Sequence, residues 1–225
     1  MTKWCQTLLD YACGPTTPEY GEYRIMMVGL SKCGQTTILD KLNKSTASPQ
    51  HVANKQTSTC GINIEKIQVP KERCSLVIWD IGGSQHFRES NCQVLLPKCC
   101  GLIYVLDGRK TPTELAADKN LLHLALRHAA DGIPVMILAN FSDFSDQESI
   151  CDQEDLIDLL NLCSLNSKHA WLVQNVSGLT GENLWLAVEK FAKMEAQYAE
   201  KKRKLKLEEH RKLQKQNNFP SFNIL

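Results

Sequence analysis

The sequence predicts an α/β fold built on a mostly parallel, six-stranded sheet with helices on both faces. Apolar segments of strand length alternate along the chain with segments of helical periodicity. Parallel neighbours need crossover helices, and strands that are apolar throughout are buried on both faces, so this alternation favours a parallel sheet. Short polar and glycine-containing segments follow several strands. A ligand site is therefore expected at the carboxyl ends of the strands.

The first strand is predicted over residues 23–28 and leads into the segment G-L-S-K-C-G-Q-T, which ends at Thr36. Gly29 and Gly34 have the spacing of the phosphate-binding motif G-x-x-x-x-G-K-[ST], in which backbone amides wrap around phosphate oxygens. A helix is predicted over residues 35–44. Free N–H groups and the helix dipole at its N-terminus would favour a bound phosphate.

Gln35 stands where this motif has its lysine. The lysine reaches the β- and γ-phosphates as a point charge, whereas a glutamine amide donates a hydrogen bond without charge. Losing one such contact costs about 2–4 kcal/mol in affinity or in transition-state stabilisation. Lys32 is either a substitute for the missing charge or a solvated side chain.

Cys33 lies in the same loop, beside Lys32 and near the predicted helix N-terminus. Both neighbours would lower the pKa of its thiol and make it sensitive to oxidation. The favoured interpretation is nevertheless an inert loop residue.

The next two predicted strands also carry candidate site residues. A strand over residues 62–69 follows Thr59 and Gly61, and a strand over residues 75–79 leads into D-I-G-G at residues 80–83. A carboxylate at a strand end can hold a water of Mg²⁺, and paired glycines let the backbone approach a phosphate.

The second half of the chain continues the alternation of strands and helices. A capping box, T-P-T-E, with proline at the first helical position, starts a helix that is expected to run to about residue 128. Two polar segments follow later strands: N-F-S-D at residues 140–143 and S-G-L-T-G at residues 177–181. The remaining predicted elements are strands over 99–106, 135–139 and 170–174, a helix over 153–162 and a last helix from 183 onward.

These motifs stand in the order found in the small GTPases, and the sequence most resembles the ADP-ribosylation-factor-like (ARF-like) branch. W-D-I-G-G is similar to that branch's second switch, S-T-C-G-I-N-I-E to its first switch, and L-T-G-E-N-L to its guanine loop followed by the last helix. The resemblance covers about residues 20–198. It implies the P-loop NTPase fold of small GTPases, GTP or GDP as the ligand and Mg²⁺ as the cofactor.

The resemblance also implies a role for each matching residue. Mg²⁺ would be coordinated by Thr36 and Thr59, with Asp80 behind a water. The Asp143 carboxylate would accept hydrogen bonds from the guanine ring N–H and 2-amino group. The full set of implied nucleotide-binding residues is Gly29, Lys32, Gly34, Gln35, Thr36, Thr37 and Gly83 for the phosphates, and Asn140, Phe141, Asp143, Ser177 and Gly178 for guanine.

Three residues depart from the family pattern. Besides Gln35, Ser84 occupies the position of the second-switch glutamine that orients the attacking water, and serine is too short for that role. Phe141 replaces the lysine of N-K-x-D, although its ring can still stack on a base. Whether the chain is an enzyme is left open, because two of the three losses affect phosphate binding or catalysis.

The leading functional interpretation is a divergent ARF-like switch protein of the intracellular or vesicle-trafficking type, with Mg²⁺-dependent guanine-nucleotide binding and weak or absent hydrolysis. Effectors and regulators would contact the switch segments near residues 56–65 and 80–95, with the protein acting as a monomer. The alternative is a nucleotide-free pseudo-GTPase that serves as an interaction scaffold, which Gln35, Ser84 and Phe141 favour.

Composition narrows the partner classes. With 26 Lys and Arg against 25 Asp and Glu, the net charge of +1 predicts no general affinity for nucleic acid. No apolar run reaches about 18 residues, so no membrane span is expected. Ten cysteines without a C-x-x-C pair do not indicate zinc, and we interpret most of them as reduced, small apolar residues of a cytoplasmic protein.

Residues 1–20 form an N-terminal extension that contains a short amphipathic stretch with Trp4 and Tyr11. Residue 2 is Thr2 rather than glycine, so N-myristoylation is not expected. Palmitoylation of Cys5 or Cys13 would give only a weak anchor on its own. Peripheral membrane contact is therefore an alternative to a purely cytoplasmic location.

The chain is predicted to contain one domain over residues 21–198, followed by a basic helical extension and tail over residues 199–225. Between residues 190 and 215 there are ten Lys or Arg and four Glu, a net charge of about +6. A basic helix of this kind binds acidic partners or anionic lipid, or is simply solvated.

Overall fold

The computed structural model of the chain describes residues 21–46, 56–57, 62–82, 84–144 and 151–217. The predicted N-terminal amphipathic stretch, the end of the C-terminal tail, Thr59 and Gly83 lie outside these residues. Residues 58–61 of the segment predicted as the first switch lie outside them as well.

The core of the molecule is a single sheet. Its strands are β1 (Gly21–Gly29), β2 (Gln56–Thr57), β3 (Ile62–Val69), β4 (Cys74–Ile81), β5 (Gly101–Asp107), β6 (Val135–Asn140) and β7 (Trp171–Asn175). They lie in the order β2-β3-β4-β1-β5-β6-β7. The five strands from β4 to β7 in this order are parallel, and β3 and β2 are added antiparallel at the β4 edge. The predicted mostly parallel fold is confirmed, with six long strands and the two-residue β2.

In the described part of the chain, five α-helices cover the two faces of the sheet. They are α1 (Gln35–Thr46), α2 (Gln85–Leu95), α3 (Pro112–Leu126), α4 (Gln153–Leu159) and α5 (Leu184–Asn217). Successive residues of β1 face opposite sides: Met26 joins the core under α2, α3 and α4, whereas Met27 joins the core under α1 and α5. The strands are therefore buried on both faces, which explains why their sequences are apolar throughout.

Most predicted elements lie within one or two residues of their predicted positions. One helix is shorter than predicted: the helix expected over residues 153–162 ends at Leu159. Asn161 then adopts a left-handed conformation (φ 55°), and a short 3₁₀ helix, Leu162–Leu165, follows. Because left-handed backbone cannot continue an α-helix, the predicted helix was too long.

The sequence did not predict α2. Its sequence, Q-H-F-R-E-S-N-C-Q-V-L, is mostly polar, and only Arg88 and Cys92 among its described side chains are buried. In contrast, the predicted capping box of α3 is present, because the Thr111 N–H donates to the Glu114 carboxylate at 2.9 Å. Local signals therefore identified the capped helix and missed the helix that lacks them.

Helix α5 has two parts with different surroundings. Its first turns bury Leu184, Val188 and Phe191 against the sheet, as the apolar stripe predicts. From residue 201 to residue 214 every side chain is exposed. At 1.5 Å per residue its 34 residues extend about 50 Å, so the basic half projects beyond the domain. Within the described residues, every helix is too short or too polar to span a bilayer.

The seven cysteines in the described part of the chain are free thiols, and four of them are buried. Burial raises the pKa of Cys74 and Cys92 to about 11 and that of Cys99 to about 12. These thiols are therefore protonated at neutral pH and pack as small apolar groups, as the sequence suggests.

Candidate functional site

The G-L-S-K-C-G-Q-T loop lies between the end of β1 and the start of α1, at the carboxyl edge of the sheet. Gly34 has φ +92°, and a Cβ there would lie 2.1 Å from Asn140 Nδ2, so only glycine fits. Lys32 is exposed and left-handed (φ 69°). Thr36 and Thr37 are exposed in the first turn of α1, and Gly29 is buried at the end of β1.

The Gln35 side chain turns inward and makes contacts with three groups. Its Nε2 donates to Asp80 Oδ1 at 2.8 Å and weakly to the Met27 carbonyl at 3.4 Å. Its Oε1 accepts from the Cys33 thiol at 3.5 Å. Gln35 therefore links the first turn of α1 to the end of β4, across the place where the loop would hold phosphates.

Asp80 is the buried carboxylate of the site, with 7% of its surface exposed. Burial raises its pKa to about 6; the Gln35 hydrogen bond acts in the opposite direction, and the nearby Glu65 carboxylate raises the pKa further. Asp80 is therefore ionised above about pH 6. Carboxylate and hydroxyl oxygens are the ligands that Mg²⁺ prefers, so Asp80 and the exposed hydroxyl of Thr36 fit the predicted metal.

The described residues include no group of three or more His, Cys, Asp or Glu able to hold a metal ion. Mg²⁺ commonly keeps several waters and binds through one or two protein oxygens together with substrate phosphates. The predicted third ligand, Thr59, lies outside the described residues, as does the predicted γ-phosphate contact, Gly83.

The prediction of a lowered pKa for Cys33 is wrong. The side chain is 2% exposed and packs into the core beneath the loop. Burial raises the pKa of its thiol to about 12, and this effect exceeds the lowering effects of a backbone hydrogen bond and of Lys110. Sequence proximity to Lys32 and to a helix N-terminus did not reveal that the thiol points away from solvent.

Asn140 connects three segments of the site. Its Nδ2 donates to the Cys33 carbonyl at 2.9 Å, and its Oδ1 accepts from the Gly178 N–H at 2.8 Å. The residue is 2% exposed. Asn140 therefore ties the glycine loop and the 177–181 loop to the end of β6, and it shapes the site from behind.

The 177–181 loop is held by its own hydrogen bonds and by α1. The Ser177 N–H donates to the Glu182 carbonyl at 3.2 Å, and Lys41 Nζ donates to the Leu179 carbonyl at 2.9 Å. The Gly178 N–H is engaged by Asn140. Contacts of these two amides with a guanine oxygen stay a prediction. Such contacts would require each amide to leave its present acceptor.

Phe141 lies between the glycine loop and an arginine that the sequence analysis missed. Its backbone is left-handed (φ 75°), and a Cβ on Gly34 would lie 3.7 Å from its ring. The Arg109 guanidinium stacks on the ring, with 3.8 Å between Cζ and the centroid. Arg109 also binds both oxygens of Asp107, at 2.9 and 2.8 Å. Asp143, beyond Phe141, is exposed.

Asp107 and Arg109 form a rigid pair at the end of β5. Although burial alone would raise the pKa of Asp107, the hydrogen bonds and charge of Arg109 hold it below its usual value. The D-x-R spacing directly after an apolar strand was the sequence signal for this pair, since an aspartate there can bond to the backbone two residues on.

The second-switch segment contacts the glycine loop through another residue that the sequence analysis missed. Arg88, on α2, is 5% exposed, and its Nη1 lies 3.3 Å from Ser31 Oγ. Ser84 is exposed immediately before α2. No local pattern distinguishes Arg88 from the other polar residues of this helix.

A mostly parallel sheet in this strand order, with a glycine loop, a strand-end aspartate and an N-x-x-D loop at one edge, defines the P-loop fold of the small GTPases. The model of the ADP-ribosylation factor family matches residues 16–195. The chain therefore belongs to the ADP-ribosylation factor family.

Individual relatives agree with this assignment. ADP-ribosylation factor-related protein 1 of Rattus norvegicus is 30% identical over 172 residues, which are 75% of this chain and 82% of that protein. ADP-ribosylation factor-like protein 3 of Saccharomyces cerevisiae is 26% identical over 170 residues, 75% of this chain and 83% of that protein. The predicted resemblance to ARF-like proteins is confirmed.

A solved structure supports the fold independently. The Arl6 BBS3 small GTPase from Trypanosoma brucei, with the bound nucleotide analogue GppNp, matches with a TM-score of 0.62 and 22% sequence identity. The match covers 79% of this chain and 99% of the other. At this level of identity the likeness establishes the shared fold alone.

Proposed function

We propose that this chain is a divergent regulatory member of its family that binds GTP and GDP with Mg²⁺, hydrolyses GTP weakly or not at all, and acts in intracellular trafficking. The observation that carries the proposal is the position of Asn140, whose side chain joins the glycine loop to the 177–181 loop beside the exposed Asp143. These are the two parts of a nucleotide site, one for the phosphates and one for the base.

The base side of the site retains its main recognition group. The Asp143 carboxylate can accept two hydrogen bonds from guanine, whereas the 6-amino group and bare N1 of adenine offer no matching pair of donors. Phe141 contributes an apolar ring where the family has lysine, and Arg109 braces that ring through its stacking contact. We therefore expect the chain to prefer guanine over adenine.

The phosphate side retains its backbone and loses a charge. The N-terminus of α1 and the loop amides supply uncharged donors to a phosphate. Gln35 supplies only an amide, and that amide is already bonded to Asp80. We therefore expect binding that is weaker by about 2–4 kcal/mol than a lysine would allow.

In this proposal Thr36, Thr59 and Asp80 would hold Mg²⁺, which neutralises phosphate charge when it is bound. Ser84 cannot orient a water molecule as a glutamine does, so hydrolysis is expected to be slow. The segments near 56–65 and 80–95 would then respond to the γ-phosphate and contact effectors and regulators. The protein would act in the cytoplasm, with peripheral membrane contact as an additional location.

A single-turnover experiment tests the proposal. Nucleotide-stripped protein is loaded with radiolabelled GTP in the presence of Mg²⁺, and bound GTP, bound GDP and free phosphate are followed over hours. We expect GTP to remain bound and largely intact, and chelation of Mg²⁺ with EDTA to accelerate its release. Rapid conversion to GDP would contradict the proposed weak hydrolysis, and failure to load would contradict the switch.

One observation favours the alternative, a nucleotide-free interaction scaffold. The Gln35–Asp80 hydrogen bond closes the phosphate site with the protein's own groups. If no guanine nucleotide binds to the stripped protein, we would attribute the lack of binding to this internal hydrogen bond. The segments near 56–65 and 80–95 would then be interaction surfaces that do not respond to nucleotide.

A further inference from the structure

A groove with a volume of about 1000 Å³ lies on the edge of the domain opposite the glycine loop. One wall is the part of α5 that leaves the domain, around Tyr198 and Leu205. The other wall contains Pro134 and Trp171, at the amino ends of β6 and β7. The glycine loop lies at the carboxyl end of β1, so the groove and the nucleotide edge are separated by the length of the sheet.

The walls of the groove are held in place by the protein itself. The Tyr198 hydroxyl donates to the Asp131 carbonyl at 3.3 Å, which fixes α5 across the β6 entry loop. Gly132 (φ +83°) lets the backbone approach the Tyr198 ring, where a Cβ would lie 3.2 Å from Cε2. The Trp171 indole Nε1–H donates to Asn166 Oδ1 at 2.7 Å. A partner therefore meets a preformed surface, and little ordering of this side is needed on binding.

The groove combines positive charge with apolar surface. Lys168, Lys201 and Lys202 line it, and none of the three forms an ion pair with a described residue. Among the described residues that line it, Asp131 alone is acidic. Leu205 is 52% exposed at its outer end.

We propose that this groove is a docking site for an acidic segment of a partner protein, anchored by an aromatic or aliphatic side chain. The three lysines would receive carboxylates that the chain itself does not supply, and the apolar side chain would lie between Trp171, Tyr198 and Leu205. Charge complementarity of this kind selects the partner and orients it, while the buried apolar anchor contributes most of the affinity.

The position of the groove makes the interaction independent of the nucleotide. No residue that lines it belongs to the glycine loop, to the N-x-x-D loop or to the 177–181 loop. The docking site would bind its partner in every nucleotide state. The opposite edge of the sheet, if it binds GTP, would bind other partners in a nucleotide-dependent way. The partner's affinity is therefore expected to be the same with and without added GTP and Mg²⁺.

The probe for this site is a fluorescein-labelled peptide, Glu-Glu-Asp-Glu-Trp-Glu-Leu-Phe-Glu-Glu-Asp-Glu, whose binding to the full chain is measured by fluorescence anisotropy at about 0.15 M ionic strength. A second peptide carries serine in place of its three apolar residues, and a third carries lysine in place of its acidic residues. We expect saturable binding of the first peptide, at least tenfold weaker binding of the second, and no binding of the third.

Two double variants locate the binding. Lys201→Glu/Lys202→Glu reverses charge in the groove, and Lys206→Glu/Lys212→Glu makes the same charge change on the exposed helix away from it. The first pair is expected to weaken binding of the apolar-anchored peptide at least tenfold, and the second pair less than twofold. All four side chains are exposed, so both double variants should have the same melting temperature as the wild type.

Three results would overturn the proposal. Equal losses in the two double variants would show that the charge of the helix alone attracts the peptide. Absence of binding would refute the docking site. Equal binding of the apolar-anchored and serine peptides would show that no apolar side chain anchors the partner. Binding to vesicles of phosphatidylserine and phosphatidylcholine that only the groove pair abolishes, without peptide binding, would identify a lipid surface as the occupant instead.

Discussion

Gln35 changes more than the charge of the phosphate site. A lysine at this position would place its ammonium beside Asp80, where the buried carboxylate would attract it strongly. Gln35 instead donates an uncharged hydrogen bond to the buried Asp80 carboxylate at 2.8 Å. In the proposed function the missing charge weakens the attraction for phosphate. Burial raises the pKa of Asp80 to about 6, although the Gln35 hydrogen bond acts in the opposite direction.

Restoring the lysine should restore affinity. We expect Gln35→Lys to bind GTP at least tenfold more tightly than the wild type, because a charge-assisted contact to phosphate is worth about 2–4 kcal/mol. Titration calorimetry of both stripped proteins measures the ratio, and Gln35→Met, which has neither charge nor amide, serves as the control. An unchanged affinity in Gln35→Lys would show that the phosphate site has lost more than its lysine.

Glu195 is the second residue whose environment is unusual for its type. It is fully buried on α5, and neither carboxylate oxygen has a hydrogen-bond partner among the described residues. The carboxyl lies against Gly101, where a side chain would collide with it. Burial raises the pKa of Glu195 to about 9, so the group carries its proton at neutral pH.

This protonation makes folding stability depend on pH. Because the folded pKa lies above the unfolded value of about 4.3, the folded state binds the proton more strongly, and stability falls as the pH rises towards 9. We expect Glu195→Gln to remove this dependence and to be more stable than the wild type at pH 8. Urea unfolding between pH 5 and pH 9 measures the effect.

A surface glutamate on the same helix provides the control. Glu189 pairs with Lys71 at 2.8 Å outside the core, and Glu189→Gln makes the same chemical change there. A wild-type profile as flat as that of Glu195→Gln would contradict a buried, protonated Glu195.

At the scale of the elements, the site depends on loops that one side chain holds together. The glycine loop, the N-F-S-D loop and the 177–181 loop follow three different strands, and Asn140 bonds to the first and the third. The sequence predicted each loop from its own residues. It could not show that the Asn140 side chain points into the protein, because that orientation depends on how β5 pairs with β6 and on how closely the two other loops approach the end of β6.

Removing this connection should damage both stability and binding. In Asn140→Ala the Cys33 carbonyl and the Gly178 N–H lose their partner in a buried place, so we expect a loss of about 2–4 kcal/mol in unfolding free energy. Thermal melting and denaturant unfolding measure it. A change below about 0.5 kcal/mol would mean that the loops are held by other contacts.

For Asp143→Ala, in the same loop, we expect an effect on nucleotide preference and none on stability. Asp143 is exposed, so its loss should change stability by less than about 0.5 kcal/mol. In the proposed function the Asp143 carboxylate would accept hydrogen bonds from guanine, so we expect its loss to reduce the preference for GTP over ATP at least tenfold. Competition between the two nucleotides measures the preference, and an unchanged ratio would remove Asp143 from the base site.

The projecting half of α5 should contribute nothing to the stability of the domain. All side chains from 201 to 214 are exposed, in contrast to Phe191 and Ala192, which are fully buried. Deletion of residues 207–225 is therefore expected to leave the melting temperature within about 2 °C of the wild type. A decrease of more than about 5 °C would show that the end of the helix packs on the domain.

At the scale of the whole molecule, the fold was predictable because the signals for it are repeated and local. Apolar strands buried on both faces, the T-P-T-E cap and the glycine loop each predict one element, and together they predict the layered architecture. Helix α2 was not predictable in the same way, since it buries Arg88 and Cys92 from a mostly polar sequence. The same limit applies to Arg109, which reaches the site through its stack on Phe141.

The two proposed sites lie at opposite edges of one sheet. The proposed nucleotide site around Gln35 and Asn140 lies at the carboxyl edge, and the lysine-lined groove beside α5 lies at the amino edge. Because the two edges share no residues, loss of phosphate charge at one need not affect partner binding at the other.

Titration calorimetry of the nucleotide-stripped protein with GTP and GDP in the presence of Mg²⁺, with ATP as the control, tests the central claim most directly. The proposed function predicts saturable binding of both guanine nucleotides at micromolar dissociation constants or tighter, roughly −8 kcal/mol, and at least tenfold weaker binding of ATP. No heat with any nucleotide at millimolar concentration, or equal affinity for ATP and GTP, would contradict it.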